Sequence, residues 1–237
     1  MLSIEIEKLL RADEIANISM LGFFAKHNPV KMLRVDNSIM AQGQSDEDWW
    51  YLSCQSIDDF DWFIEQAGSN DCYLAAIDEQ ILDRVKKRFT CKWVLSCERL
   101  YLPEDVQIPS TYLNLSPVLS SDAEHIFSNS NYKAFSSVGY IREQIEQGPG
   151  SAYRIGDTLA GWALTHDDSA MGMLHVLDGY RRKGIAKSIV IDLIQKIRAL
   201  GLTPFTYVEP SNDASMKLVK SLGFVPDRPI HWVCMNR

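Results

Sequence analysis

The sequence has no apolar run that approaches the roughly 18 residues needed to cross a membrane. The first ten residues include Glu5, Glu7 and Lys8, a pattern that does not indicate a secretory signal. Positive charge is also scarce, because 24 Lys and Arg residues against 31 Asp and Glu residues give a net charge of −7. These absences predict a soluble, cytoplasmic protein that binds neither nucleic acid nor membranes.

Cysteine is also sparse and irregularly placed. An odd number of widely separated thiols suits neither a disulfide framework nor a metal site built from Cys-x-x-Cys pairs. We therefore expect reduced thiols and no metal. The five are Cys54, Cys72, Cys91, Cys97 and Cys234.

The 237 residues allow one large domain or two small ones. Leu102–Tyr112 holds Pro103 and Pro109 with polar residues between them, which predicts a linker. On each side of it the patterns predict the same order: three strands, a helix, a strand, a helix and a strand. We therefore expect a structural duplication, with domains at residues 1–106 and 107–237.

These elements have the following predicted bounds. Before the linker we expect strands at 30–36, 39–43 and 48–54, a helix at 56–66, a strand at 73–77, a helix at 78–88 and a strand at 91–100. After it we expect helices at 121–129 and 138–147, strands at 152–155, 158–165 and 170–177, a helix at 184–200, a strand at 203–208, a helix at 213–222 and a strand at 230–235.

The most informative stretch is Met171–Ser188, in which an apolar strand leads into a basic turn and then an amphipathic helix. Three cations, Arg181, Arg182 and Lys183, precede the helix, although helix N-termini favour anions. One interpretation is a solvated basic turn. The other is a turn that binds a multiply charged anion on backbone donors, with Gly184 allowing close approach.

The spacing excludes two familiar nucleotide loops. Gly179 and Gly184 have the glycine spacing of a Walker A loop, but Lys187 comes two residues too late for one. The turn does not have the G-x-G-x-x-G order of dinucleotide sites either.

The residues from Arg181 to Ala186 (RRKGIA) match the R/Q-x-x-G-x-G/A signature of the GNAT superfamily. Asn212 and the later Leu222-Gly223-Phe224 also resemble the close of that domain. The second half of the chain is similar, in addition, to the C-terminal domain of the glycine N-acyltransferase family.

The resemblance implies an α/β fold of two GNAT-like domains, each a mixed, mostly antiparallel sheet flanked by helices. It implies acetyl-CoA or another acyl-CoA as co-substrate. The main chain of Leu174, His175 and Val176 would pair with pantetheine and polarise the thioester carbonyl. Asn212 would lie near the pantetheine, or would simply cap the helix that starts at Asp213. The pyrophosphate would bind the turn and first helical residues: Arg181, Arg182, Lys183, Gly184, Ile185, Ala186 and Lys187.

Two positions depart from the family pattern. Ala170 stands where many members have a glutamate base, and Val219 where many have a tyrosine acid. His175 could accept the amine proton instead, or could be a packed or surface histidine. Residues 166–168, His-Asp-Asp, are expected to form a solvated hairpin turn.

The first half has no comparable loop, since no glycine occurs between Gly43 and Gly68. We expect this domain to be degenerate, serving as a support or as a wall of the acceptor site. Its tryptophans are expected to be core or interdomain residues, or else to line an apolar acceptor pocket. They are Trp49, Trp50, Trp62 and Trp93.

The sequence thus predicts an N-acyltransferase that moves an acetyl or other short acyl group to an amine of a small molecule or peptide. The alternatives are an acyl-CoA-binding sensor without catalysis, or a structural partner subunit. Oligomeric state stays open.

Overall fold

The computed structural model describes residues 1–68 and 71–236. Its contacts divide the chain into two compact units. Unit 1 comprises Met1–Arg99, Val208–Ser211 and Pro226–Arg237, and unit 2 comprises Leu100–Tyr207 and Asn212–Val225. The predicted single boundary after residue 106 differs from this division, because the chain returns to unit 1 twice after that residue.

Unit 1 is a mixed sheet with four helices. Its strands follow the order β1–β2–β3–β4–β10–β5, with β3 and β4 parallel. The pairs β1–β2, β2–β3 and β10–β4 are antiparallel. The elements are α1 (Ile4–Arg11), α2 (Ile18–Lys26), β1 (Pro29–Val35), β2 (Ser38–Gln44), β3 (Asp48–Ser53), α3 (Ile57–Gln66), β4 (Tyr73–Ile77), α4 (Glu79–Arg88), β5 (Thr90–Tyr101) and β10 (Val225–Asn236).

The core of unit 1 forms two apolar clusters, one of them around Trp50 and the other around Phe23. Trp50 is fully buried, as expected, and Trp49 and Trp93 pack in the Phe23 cluster. Trp62 differs from the expectation of a core residue, because 40% of its surface is exposed.

Unit 2 is a four-stranded sheet in the order β9–β8–β7–β6, again with four helices. The pairs β6–β7 and β7–β8 are antiparallel, and β8–β9 is parallel. The elements are α5 (Ala123–Ser128), α6 (Val138–Gln147), β6 (Gly150–Ile155), β7 (Thr158–Thr165), β8 (Met171–Val176), α7 (Ile185–Ala199), β9 (Phe205–Val208) and α8 (Asp213–Ser221).

The helices of unit 2 cover both faces of its sheet. A Cβ on Gly161 would point at Ile185 and Ile189 of α7, at 3.2 and 3.1 Å. The next residue, Trp162, is buried in a cluster with apolar residues of α5 and α6. Because successive strand residues face opposite sides, α7 lies on one face and α5 and α6 lie on the other.

The predicted fold class and order of elements are confirmed. Two features were missed: α1 and α2, and the full length of β10, which begins at Val225 rather than Ile230. Pro226 and Pro229 argue against a strand because they donate no hydrogen bond. Pairing of β10 with β4 begins at His231, opposite the last residue of β4, so both prolines lie beyond that neighbour.

The predicted linker has no helix or strand from Leu102 to Tyr112, but it is held against unit 2. Leu102 donates its N–H to the carbonyl of Pro204 at 2.8 Å. Arg198 of α7 donates to the carbonyls of Pro103 and Val106, both at 2.8 Å. The segment is therefore an ordered strap. Of the helices in the described ranges, none has both the length and the apolarity to cross a bilayer.

Candidate active site

Helix α7 begins at Gly184, which adopts a left-handed backbone with φ of +76°. No side chain caps this end. Glycine has no Cβ penalty in this conformation, so it turns the chain directly into the helix. The N–H groups of Ile185, Ala186 and Lys187 precede the first intrahelical bond, which runs from Ser188 N–H to the Gly184 carbonyl at 3.0 Å. The helix therefore presents backbone donors and its positive dipole end to an anion.

The three cations of the turn are all exposed. Arg181 pairs with Asp178 at 3.0 Å, an exposed contact of small stabilising value. Lys183 donates to the Gly179 carbonyl at 3.2 Å and lies 5.5 Å from the Tyr180 ring centre. Arg182 has a positive φ of 61°, a strained conformation that costs about 1–3 kcal/mol and is concentrated at functional sites. The turn thus gathers exposed positive charge at the start of α7.

Strand β8 bulges in its middle. Gly172 pairs with Leu164 and His175 pairs with Trp162, so Met173 and Leu174 together oppose one residue of β7. Met173 also has a positive φ of 52°. A bulge redirects the peptide groups around it. This one includes Leu174 and lies just before His175 and Val176, and these three residues are the ones predicted to bind pantetheine.

Beyond its first residue, β8 separates from β9. The register joins the two strands only at Met171 and Thr206, whose hydroxyl also donates to the Met171 carbonyl at 2.8 Å. Leu177 bonds to β7 through its N–H, so the preceding peptide groups of Val176 point away from β7, towards this opening. There the Val176 carbonyl accepts a bond from Arg181 Nε at 2.9 Å. The opening offers strand-like backbone groups to an extended ligand.

Tyr112 was missed by the sequence analysis. A Cβ built on Gly184 would lie 2.1 Å from the Tyr112 hydroxyl, so this hydroxyl stands directly over the start of α7. The side chain is otherwise 77% exposed. A single tyrosine in a proline-containing strap carries no sequence signal for this position.

His175 is half-buried on the face covered by α5 and α6, where its ring stacks on Trp162 at 4.8 Å. Burial, together with the nearby charge of Arg181, lowers the pKa of His175 from its ordinary value. The neutral imidazole is therefore favoured at pH 7, as a proton acceptor requires.

The expectation of a solvated turn at residues 166–168 is wrong. Asp167 is 8% exposed and Asp168 is 2% exposed. Asp168 accepts the Ala170 N–H at 3.0 Å and also the hydroxyl of Tyr207 on β9. Buried carboxylates require such partners, which here come from outside the turn and cannot be read from its polar sequence.

His166 lies in the same turn, over strand β8. A Cβ on Gly172 would meet His166 Nε2 at 2.1 Å. The hydroxyl of Tyr140, on α6, lies 3.3 Å from His166 Nδ1 and 3.4 Å from Asp167 Oδ1. The turn thus places the His166 imidazole against Gly172, the residue that directly precedes the bulge.

The other predicted positions are less informative. Asn212 caps α8 by accepting the Ser215 N–H at 3.1 Å, which is its structural role. Ala170 and Val219, at the positions of the usual base and acid, are both buried apolar residues. Within residues 1–68 and 71–236, no group of three or more His, Cys, Asp or Glu side chains is arranged to hold a metal ion.

The described residues of unit 1 contain no equivalent of this opening. Its parallel strands β3 and β4 stay paired over three positions, from Trp49–Tyr73 to Tyr51–Ala75. The connection to α3 has three residues, 54–56, whereas that between β8 and α7 has eight, 177–184. Ser56 caps α3 with its own side chain, which accepts the Asp59 N–H at 3.1 Å. One of the backbone donors that an anion would need at the start of α3 is thus already used.

The comparisons with known proteins concern the fold. Residues 153–233 match the family model described as FR47-like protein. No curated protein sequence matches the chain. An X-ray structure of a Drosophila protein is similar over 100% of this chain and 98% of its own, with 16% identity and a TM-score of 0.83.

Two bacterial structures carry informative names. A GCN5-related N-acetyltransferase from Kribbella flavida covers 94% of this chain and 95% of its own, with 13% identity and a TM-score of 0.59. A GCN5-related N-acetyltransferase-like protein from Streptococcus suis covers 96% and 98%, with 15% identity and a TM-score of 0.55. The fold is that of the GNAT acetyltransferases.

Proposed function

We propose that this protein transfers an acetyl or other short acyl group from acyl-CoA to an amine of a small molecule or peptide. The proposal rests mainly on the geometry of β8. This strand bulges at Met173 and parts from β9 after Met171, and the uncapped start of α7 follows it. A bulged strand that leaves its parallel neighbour, followed by an uncapped helix, has unpaired backbone groups in both places. An extended ligand with a phosphate end would pair with the strand and bind the helix start.

The residues present fit acyl-CoA in two places. Its pyrophosphate would take the backbone donors from Arg182 to Lys187, with the exposed cations of the turn nearby. Its pantetheine would pair with Leu174–Val176, where the Val176 carbonyl would exchange its bond with Arg181 for one with the ligand. The acyl carbonyl would then lie at the bulge, where a backbone N–H can stabilise the negative charge that develops on oxygen.

Fewer observations bear on the identity of the amine acceptor than on acyl-CoA. The sequence resemblance of the second half to the glycine N-acyltransferase family, which the comparisons do not show, favours small amines, and a peptide α-amine has the same chemistry. His175, which is favoured as a neutral imidazole, is the candidate proton acceptor that the sequence predicts at this site. Asn212, although it caps α8, could still reach the pantetheine.

A second candidate is a non-catalytic acyl-CoA sensor. It is favoured by one observation: Ala170 and Val219 are buried apolar side chains where many GNAT enzymes have their base and acid. Such a protein would bind acyl-CoA through the same loop and opening without turnover.

One experiment separates the two. Binding of coenzyme A is measured by calorimetry, and thiol release from acetyl-, propionyl- and butyryl-CoA is measured with a panel of small amines and peptides from pH 6 to 9. Amine-dependent thiol release supports the transferase. Binding without release with any amine supports the sensor. Absence of binding would overturn both.

A further inference from the structure

We propose that His166 is the proton acceptor for the incoming amine, and that Tyr140 and Gly172 position it; this inference rests on the proposed acyl transfer. The usual glutamate position, Ala170, directly precedes β8, and its carbonyl accepts the His166 N–H at 2.8 Å. Because Ala170 and Gly172 are two residues apart, before the bulge, both face the same side of the sheet. Gly172 pairs with Leu164, which packs in the cluster with α5 and α6. His166 reaches that same side from the turn.

The glycine is what permits this approach. The position of a Cβ at residue 172 is 2.1 Å from His166 Nε2 and 2.5 Å from its Cδ2, so any other residue there would displace the ring. Gly172 has no positive φ that would itself require glycine. Glycine within a strand weakens it, and a close approach is one reason for retaining it. Here the group that approaches is the His166 imidazole, and it approaches Gly172, which is two residues before Leu174.

Tyr140 fixes the ring and its tautomer. The phenol has one hydrogen and two acceptors in reach, Asp167 Oδ1 at 3.4 Å and His166 Nδ1 at 3.3 Å. A carboxylate is the stronger acceptor and can only accept, so the phenol hydrogen goes to Asp167. His166 Nδ1 then carries the hydrogen and donates it to the phenol oxygen. The lone pair of the neutral ring is therefore on Nε2, the atom against β8.

The step balances as follows. An ammonium acceptor gives one proton to His166 Nε2, and the free amine nitrogen attacks the thioester carbon. The C–N bond forms, the C–S bond breaks, and the bonding pair leaves on sulfur. The nitrogen loses a second proton, the thiolate gains one, and His166 releases its proton to solvent. The products are the amide, coenzyme A thiol and one proton.

Titratable groups from three parts of unit 2 lie around His166. Tyr140 faces it from α6, Asp167 and Asp168 belong to its own turn, and Tyr207 of β9 is bonded to Asp168. The acidic limb of kcat/KM should therefore report this group of residues, and it should depend on His166.

The test compares His166→Gln, Gly172→Ala and Tyr140→Phe with the full-length wild type. The exposed His125 of α5 gives the matched control, His125→Gln. We expect His166→Gln to lose about 10²–10⁴-fold in kcat and to lose the acidic limb of the pH profile. Gly172→Ala should lose activity similarly because its methyl group displaces the ring. Tyr140→Phe should lose less and should shift the limb, and the NMR titration of the His166 ring should shift with it.

Coenzyme A affinity, measured by calorimetry, should stay within about threefold in His166→Gln, Tyr140→Phe and His125→Gln, since these changes lie outside the loop and outside β8. If His166→Gln does not fold, Gly172→Ala and Tyr140→Phe decide the outcome. If these variants turn over with an unchanged acidic limb, or if the limb disappears only in His175→Ala, the role of His166 is overturned. The proposed acyl transfer is not affected by that result. A wild type that acylates no amine would instead overturn the proposed function.

Discussion

At the residue scale, Gly184 combines a left-handed backbone with an exposed helix start, and both properties can be tested. Gly184→Asp should abolish binding of coenzyme A, because it puts a carboxylate where the pyrophosphate would lie. Gly201→Asp is the matched control: Gly201 also has a positive φ, of 71°, and has open space around it, but it follows the far end of α7.

Calorimetry with coenzyme A and a thermal melt measure the two effects separately. Both variants should lose about 1–2 kcal/mol of stability from the left-handed backbone. Only Gly184→Asp should lose binding. Equal coenzyme A affinity in the two variants would show that the start of α7 is not the anion site.

His175 gives a prediction for the pH dependence of stability. Its pKa is lowered in the folded state by burial and by Arg181, so the unfolded chain binds more protons near its ordinary value of 6.5. Stability therefore increases with pH wherever this difference holds. The contribution of His175 is fully present above about pH 6.5, near the unfolded value, and is lost as the pH falls through that region.

Urea unfolding between pH 5 and 8 measures this effect. In His175→Gln the rise of the unfolding free energy with pH should be less steep than in the wild type. His125→Gln should change the slope less than His175→Gln, because the charge of His125 is a smaller cause of the lowered His175 pKa than burial. A wild-type slope retained in His175→Gln would contradict the assigned cause.

Some of these residues could be predicted from the sequence and others could not. Gly184 and the cations beside it form a local pattern, and local backbone chemistry determines what they do. The burial of Asp168 depends on Tyr207, 39 residues later in the chain. Tyr112 and Gly184 are 72 residues apart, 184 minus 112, and nothing in either neighbourhood indicates their contact. A site formed by one turn can therefore be predicted from the sequence, whereas a site completed by tertiary contacts cannot.

At the element scale, the two strand-to-helix connections differ in what their backbone donors already bind. In unit 1 the Gln55 N–H is held by the Ser38 hydroxyl at 2.8 Å, and Ser56 caps α3. In unit 2 the start of α7 has no side-chain cap. Sequence reasoning anticipated this difference from the missing glycine and basic cluster, although the Ser38 contact requires the fold.

Hydrogen exchange should show this difference directly. Adding coenzyme A should slow exchange across Leu174–Ile189, where backbone groups gain a ligand, and should leave Val30–Cys54 nearly unchanged. Gly184→Asp serves as the control, because it should show no protection in either segment. Equal protection around α3 and α7 would mean that unit 1 also binds the ligand, and that it is not degenerate.

The helices α1 and α2 show why whole elements are missed. Ser3 caps α1 by accepting the Ile6 N–H at 3.3 Å, and only Ile6 and Leu10 are buried along it. The cap is a usable signal, but so few buried positions give a weak periodicity. In α2, the five buried residues fall in two runs, 18–20 and 23–24, so that stretch has no clear polar face.

At the scale of the whole molecule, the chain is interleaved, since it leaves unit 1 after β5 and returns to it with β10. In unit 1, β10 lies between β4 and β5, so it is an interior strand. Its first part is held by an ion pair between the buried Arg99 and Asp227 at 2.6 Å. Both units nevertheless repeat the order of three strands, helix, strand and helix, as a duplication predicts.

This interleaving predicts that the boundary after residue 106 does not yield a stable first fragment. Residues 1–106 lack β10, which leaves β4 and β5 without the strand between them. The fragment also loses the buried side chains of Ile230, Val233 and Met235. At about 1.5–3 kcal/mol each, their burial contributes roughly 4.5–9 kcal/mol. A typical domain has a net stability of only about 5–15 kcal/mol, so the fragment should not unfold cooperatively.

A fusion supplies the missing strand and sharpens the test. Arg99 contacts Asp227 and Ser96 contacts His231, so β5 and β10 run antiparallel and a short Gly/Ser linker can join residue 101 to residue 225. In urea titrations followed by tryptophan fluorescence, this fusion should unfold in one sharp transition, and residues 1–106 alone should not. The fusion carrying Val233→Asp should lose the transition, because a carboxylate would be buried in the apolar cluster around Trp50. Cooperative unfolding of residues 1–106 at the same urea midpoint as the fusion would show that unit 1 does not need β10.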